Sequence, residues 1–174
     1  MAKKFDLKSC IRDIPDFPKE GIIFKDITTL LSDKDAFKNA IDSLAKKFKK
    51  ERIEYVVGVE ARGFIFGAAL AYKLGVGFVP VRKKGKLPYK TKSITYALEY
   101  GTDVLEIHED AIPAKSRVLI VDDLLATGGT VKAVADLLKS QKVVIAGAAF
   151  LVELSFLKGK DKLKDLSVYS IVKY

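Results

Sequence analysis

At 174 residues with 49% hydrophobic side chains, the chain is long enough to bury a sizeable core as one domain over residues 1–174. No apolar run approaches the ~20 residues that cross a bilayer, the first residues lack a signal-peptide core, and the single cysteine, Cys10, excludes an internal disulfide or a cysteine-built metal site, so a cytoplasmic protein without a membrane partner is expected. The net charge of +9 fits a nucleic-acid surface, a site for a polyanionic small molecule, or a lysine-rich composition with no binding role.

In chain order, residues 5–13 read as a short helix, and 15–21 (Pro-Asp-Phe-Pro-Lys-Glu-Gly) as a turn-rich connection. Ser32, three residues before Asp35, has the spacing of a capping box. The helix it would open carries Phe37, Ala40, Ile41, Leu44, Ala45 and Phe48 on one face and ends in the run Lys46 to Lys50, a solvated end beside a favourable dipole. Residues 55–59 read as a buried strand, 63–73 as a helix of small and apolar residues, and 77–82 as a second strand. Residues 93–98 and 104–107 form an exposed hairpin around 99–103, inside a polar segment, 83–107, expected to stay out of the core. Residues 118–121 are a third strand, 131–138 a helix, 143–152 a strand and 166–172 a last strand. Alternating strands and helices predict an α/β fold, a doubly wound and mainly parallel sheet with helices on both faces and ligands at the carboxyl edge of its strands. His108, the sole histidine, receives no role.

Two strand ends carry the chemistry. After Val118 to Val121 come Asp122 and Asp123, then Ala126-Thr127-Gly128-Gly129-Thr130 opening onto a helix. Glycines before a helix start leave free backbone N–H groups at a positive dipole end, an anion seat. The two carboxylates only accept hydrogen bonds and would repel a bare phosphate, whereas a sugar phosphate can give its phosphate to the amides and its vicinal hydroxyls to Asp122 and Asp123. Neither the G-x-x-x-x-G-K-[ST] nor the G-x-G-x-x-G pattern is present. At the second strand end, Glu60-Ala61-Arg62-Gly63 repeats the strand–turn–helix logic with an arginine whose planar fork suits phosphate oxygens, although alone it reads equally as a solvent-facing or bridging arginine. Arg82 to Lys86 is a basic loop, solvated in its plain reading.

The stretch Val121-Asp122-Asp123-Leu124-Leu125-Ala126-Thr127-Gly128-Gly129-Thr130 resembles the phosphoribosyl-pyrophosphate (PRPP) signature of the type I phosphoribosyltransferases, in the wording of their adenine-specific members, and the resemblance runs from about residue 6 to 160. It implies that fold with a small hood contributed by about 1–33 and a flexible lid over about 83–107. It implies transfer of 5-phosphoribose from PRPP to adenine, giving AMP and pyrophosphate, by displacement at the anomeric carbon through a cation-like sugar. Asp122, Asp123 and Ala126 to Thr130 would bind PRPP and AMP; Glu60, Ala61, Arg62, Arg82 and Lys86 would face pyrophosphate, with Arg82 reaching across a homodimer interface. Glu99 would handle the purine proton with Tyr100 beside it in the lid, though without the family Glu99 reads as a turn residue. Ile23, Phe24, Lys25, Leu124, Ala126 and Leu154 would wall the adenine, although singly each apolar one reads as core. Family members of the human type usually carry arginine where Lys25 stands; if only the main chain reads the base, lysine is accommodated. Mg²⁺ is the implied cofactor, held mainly by substrate and water. A second reading, a PRPP-sensing regulator that binds nucleic acid, fits the charge but not the presence of the lid motif, so no nucleic-acid partner is expected.

Overall fold

The computed structural model describes residues 6–97 and 101–174. Its frame is a seven-stranded sheet flanked by helices α2 (Lys34–Phe48), α3 (Gly63–Leu74) and α4 (Gly129–Ser140). Strands β3 (Tyr55–Val59), β4 (Gly77–Lys83), β7 (Arg117–Leu125), β8 (Val144–Glu153) and β9 (Val168–Lys173) run parallel in the order β4-β3-β7-β8-β9. Beyond β4, β6 (Thr102–His108) and β5 (Thr91–Ala97) add an antiparallel edge.

Strand alternation sorts the apolar residues onto two faces. Val56, Leu119 and Val121 pack in one core with Leu44, Phe48, Phe66 and Leu70 of α2 and α3. Val57, Val59 and Ile120 pack in the other with Val134, Leu137 and Leu138 of α4. The chain leaves β3 through α3 toward β4 on one side, and leaves β7 through α4 toward β8 on the other. The β3–β7 boundary is therefore the topological switch point, where a crevice opens outside the strand ends.

Four expectations change. The helix expected over 5–13 is replaced, in its described part from residue 6, by one 3-10 turn, Lys8–Cys10, followed by β1 (Arg12–Ile14), which pairs antiparallel with β2 (Phe24–Asp26). A nine-residue helix is marginal by itself, and the cross-strand ion pairs Arg12–Asp26 and Lys25–Asp13, each 2.7 Å, favour the ribbon. The cap of α2 is Asp33, whose carboxylate accepts from the amides of Asp35 and Ala36 at 2.9 and 3.0 Å. Ser32 instead ends the short helix α1 (Thr28–Ser32). The 83–107 segment is not excluded from the core: Leu105 and Ile107 of β6 are buried in the α4-side core. Finally, β7 continues through the acidic pair, and α4 starts earlier than expected, at Gly129.

Candidate functional site

The switch point is built from unequal strand lengths. Pairing of β7 with β3 stops at Gly58–Val121, while its pairing with β8 runs on to Leu125–Glu153. Asp122 and Asp123 thus lie beyond the last β3–β7 pair, and the Glu60–Arg62 turn follows β3 directly after Val59. The turn contains a cis peptide between Glu60 and Ala61. Gly63, the first residue of α3, comes so close to β7 that a Cβ there would stand 2.9 Å from Asp122 Oδ1 and from the Val121 carbonyl oxygen. Only glycine lets the two strand ends meet.

Arg62 Nε lies 2.9 Å from Asp123 Oδ2, whose side chain is 7% exposed. Asp122 Oδ1 accepts the Asp123 amide at 2.8 Å. Burial raises the pKa of both carboxyls; the neighbouring carboxyl pushes Asp122 further up, and Arg62 works against the rise at Asp123. Glu60 is the opposite case, held below its ordinary value by Arg82 and by the Lys83 amide. Its Oε1 lies 3.0 Å from Arg82 Nη2, while Arg82 Nη1 donates to the Lys86 carbonyl at 3.2 Å. Arg82 is therefore engaged within its own chain, on the turn that carries Arg62.

Two concavities meet at this edge. One of about 80 Å³ is lined by Asp122, Leu124 and the whole Ala126-to-Thr130 loop. A cleft of about 450 Å³ is lined by Glu60, Ala61, Arg62, Asp122, Asp123, Leu124 and Thr130, with Lys83 of β4, Tyr96 of β5 and Asp103 of β6. Asp122, Leu124 and Thr130 belong to both, so an anion at the α4 start and a polar group against the carboxylates would share one ligand.

Gly128 caps α4 in a left-handed conformation, φ 78°. Its packing partner is distant in sequence. A Cβ on Gly128 would clash with the Gly159 carbonyl and one on Gly159 with the Ala126 carbonyl, so the two glycines hold the loop against the 3-10 segment Gly159–Leu163. That segment is fixed in turn by the Lys160–Glu153 ion pair, 3.0 Å, at the end of β8. Sequence reasoning missed Gly159, Lys83, Tyr96 and Asp103; the only signal for Gly159 was a glycine between lysines, which reads as an ordinary loop.

The remaining expected residues divide. Phe24 of β2 reaches the site, its ring centre 5.2 Å from the Arg62 guanidinium carbon. Ile23 is 56% exposed, and the Lys25 side chain turns away to Asp13. Leu154 packs on the α2–α3 core and lines neither concavity, although its amide donates to the Leu125 carbonyl at 2.9 Å. Glu99 and Tyr100 lie outside the described residues, but the Ala97 carbonyl before them sits over the start of α4, 3.9 Å from where a Gly129 Cβ would stand. His108 lies where the hairpin strands meet Thr91, its ring edge-on to Tyr89.

Comparison with known proteins gives concordant results. The family model described as phosphoribosyl transferase domain matches residues 28–173. Adenine phosphoribosyltransferase of Citrifermentans bemidjiense is 60% identical over 169 residues, covering 97% of this chain and 99% of that protein. The crystal structure of adenine phosphoribosyltransferase from Thermoanaerobacter pseudethanolicus superposes with a TM-score of 0.94 at 55% identity, covering 97% of this chain and 98% of the other. The Saccharomyces cerevisiae enzyme, complexed with an imino-altritol bisphosphate and adenine, superposes with a TM-score of 0.87 at 44% identity, covering 95% of each chain.

Proposed function

The chain belongs to the adenine phosphoribosyltransferase family, and on that premise we propose that it transfers 5-phosphoribose from PRPP to adenine, releasing pyrophosphate and leaving AMP. The observation that carries this reading is the joining of two carboxylates and a phosphate-seating loop in one crevice, with Arg62 on the opposite wall. Asp122 and Asp123 accept hydrogen bonds from the ribose diol and place negative potential near the sugar carbon that becomes cation-like. Ala126 to Thr130 seat the 5-phosphate at the start of α4.

Arg62, Arg82 and Lys86 offset the charge of the leaving pyrophosphate. Arg82 serves the same site through Glu60 when the turn is as described; to reach a partner's site it must first leave that carboxylate. Among the described residues no three His, Cys, Asp or Glu side chains form a metal cluster, and Mg²⁺ characteristically pairs one or two carboxylates with substrate phosphates. Asp122 and Asp123 face the ribose diol, so the ion would be held mainly by substrate oxygens and water rather than by direct protein ligands, and would supply neutralisation of the pyrophosphate charge. Glu99 takes or gives the proton on the purine imidazole nitrogen, with Tyr100 beside it. Phe24, Lys25 and Leu154 bound the base, and since the Lys25 side chain is committed to Asp13, only its main chain is free for reading.

A homodimer is part of this reading. The outer face of α3 exposes Ile65 (40%), Ala68 and Tyr72 (90%), an apolar strip directly after the Arg62 turn. A cytoplasmic setting completes it; no helix among the described residues is long and apolar enough to cross a membrane.

The test is turnover with PRPP, Mg²⁺ and single bases. Adenine is expected to give AMP and pyrophosphate, while hypoxanthine and guanine, which present an acceptor where adenine presents a donor, react at least ~10²-fold more slowly. Equal use of the 6-oxopurines would overturn the assignment of the base.

A further inference from the structure

The ribbon β1–β2 stands apart from the main sheet and has only three residues per strand. A two-stranded ribbon of that size does not hold its shape in water unaided. What fixes β2 therefore fixes whatever base wall β2 supplies. Successive side chains of a strand point to opposite sides, and here Phe24 turns to Arg62 while Lys25 turns the other way.

We propose that Tyr174 is a positioning residue for the base: its ring holds β2 from behind, so that Phe24 and the Lys25 main chain stand where a purine is read. The Lys25 ammonium lies 3.7 Å from the centre of the Tyr174 ring and 2.7 Å from Asp13 Oδ1, and its side chain is 9% exposed. A second ammonium, that of Lys8, lies 4.3 Å from the same ring centre and donates to the Lys173 carbonyl at 3.1 Å. Cations over an aromatic face are attracted by the ring quadrupole, more strongly where water is excluded. Burial, with Asp13 and Asp6 nearby, pushes the phenol's pKa upward, so the ring stays a neutral π face.

The backbone of Tyr174 reaches the opposite wall. Its amide donates to the Glu153 carbonyl at 3.0 Å, and its carbonyl accepts the Ser155 amide at 2.8 Å. These two bonds bracket Leu154. One residue thus ties the hood ribbon to the end of β8, the two chain segments assigned to the base, without touching the crevice that holds Asp122, Asp123 and the phosphate loop.

The inference rests on the adenine reading, and its test separates the two. In Tyr174→Leu, the KM for adenine is expected to rise about tenfold, the loss of a desolvated cation–π contact, with kcat and the KM for PRPP within about twofold of wild type. Tyr174→Phe keeps the ring and is expected to restore the adenine KM. Hydrogen exchange of the ligand-free protein should show faster exchange across residues 22–27 in Tyr174→Leu, with β3 and β7 unchanged. Should that variant fail to fold, Lys25→Met, which removes the cation and keeps the ring, is expected to give the same exchange change. Unaltered exchange at 22–27, an equal rise in both KM values, or Tyr174→Phe as impaired as Tyr174→Leu overturns the proposal. A wild-type protein inert toward adenine removes the substrate reading alone, and the exchange measurement still decides the role of the ring.

Discussion

The adjacent carboxylates of β7 are ionised at a cost, because burial favours the proton on both and the Asp123 charge favours it further on Asp122, while Arg62 and hydrogen bonds from the Asp123 and Leu124 amides oppose the rise without cancelling it. With folded pKa values raised above the ordinary aspartate value, the native chain binds more protons than the unfolded chain between the two. Its stability therefore falls as pH rises through that window, and the full cost is present above it. Asp122→Asn keeps an acceptor for the Asp123 amide and removes one charge. It is expected to raise the melting temperature of the ligand-free protein at neutral pH by roughly 2–4 °C, about 1 kcal/mol, while lowering kcat/KM by ~10²-fold or more. Thermal scanning and steady-state kinetics on the same sample check both halves; a variant that is less stable and fully active contradicts the assignment. Asp26 has the reverse sign. Thr28 and Arg12 hold its pKa at about 2, so the stability it lends is present above the ordinary aspartate range and lost as pH falls through about 2. Asp26→Asn is expected to remove that part of the acid transition, followed by circular dichroism.

The phosphate loop was legible because all its determinants are consecutive: an apolar strand, two acids, two glycines and a helix. The Gly128 conformation and the anion seat follow from those neighbours alone. Its support was not legible, since Gly159 becomes necessary only when the 3-10 segment after β8 folds back under Ala126 and Gly128. Gly159→Ala is expected to raise the KM for PRPP by ~10-fold and destabilise the fold by about 1–3 kcal/mol, a backbone clash with no flexible side chain to yield. An unchanged KM for PRPP in a folded variant would contradict the supporting role. The hood ribbon failed in sequence reading for a related reason. Leu7 and Ile11 have helical spacing, but both are buried in the core with α2 and α3, and the register of the following ribbon is set by partners in residues 24–26. Tertiary pairing outweighed a local preference worth little over so few residues.

Strand–helix alternation was enough to anticipate a doubly wound sheet with its crevice at the strand ends, because buried parallel strands read as short apolar runs and crossovers have one hand. The antiparallel edge was harder. Strand β6 buries Leu105 and Ile107 while carrying Thr102, Asp103, Glu106 and His108, so its composition reads as lid and its place as core. The proposed homodimer would cover the apolar strip of α3. Tyr72→Glu combined with Ile65→Lys is expected to halve the mass seen by sedimentation at micromolar concentration. Activity falls with it if Arg82 acts across the interface. A monomeric wild type with full activity would contradict both.

The proposed transfer requires one ligand to bridge the acidic pair and the α4 start, and titration calorimetry with AMP addresses that directly. Wild type is expected to bind AMP with measurable heat, and Asp122→Asn/Asp123→Asn at least ~10-fold more weakly, two lost charge-assisted hydrogen bonds to the ribose. Affinity for AMP unchanged by the double substitution would contradict it.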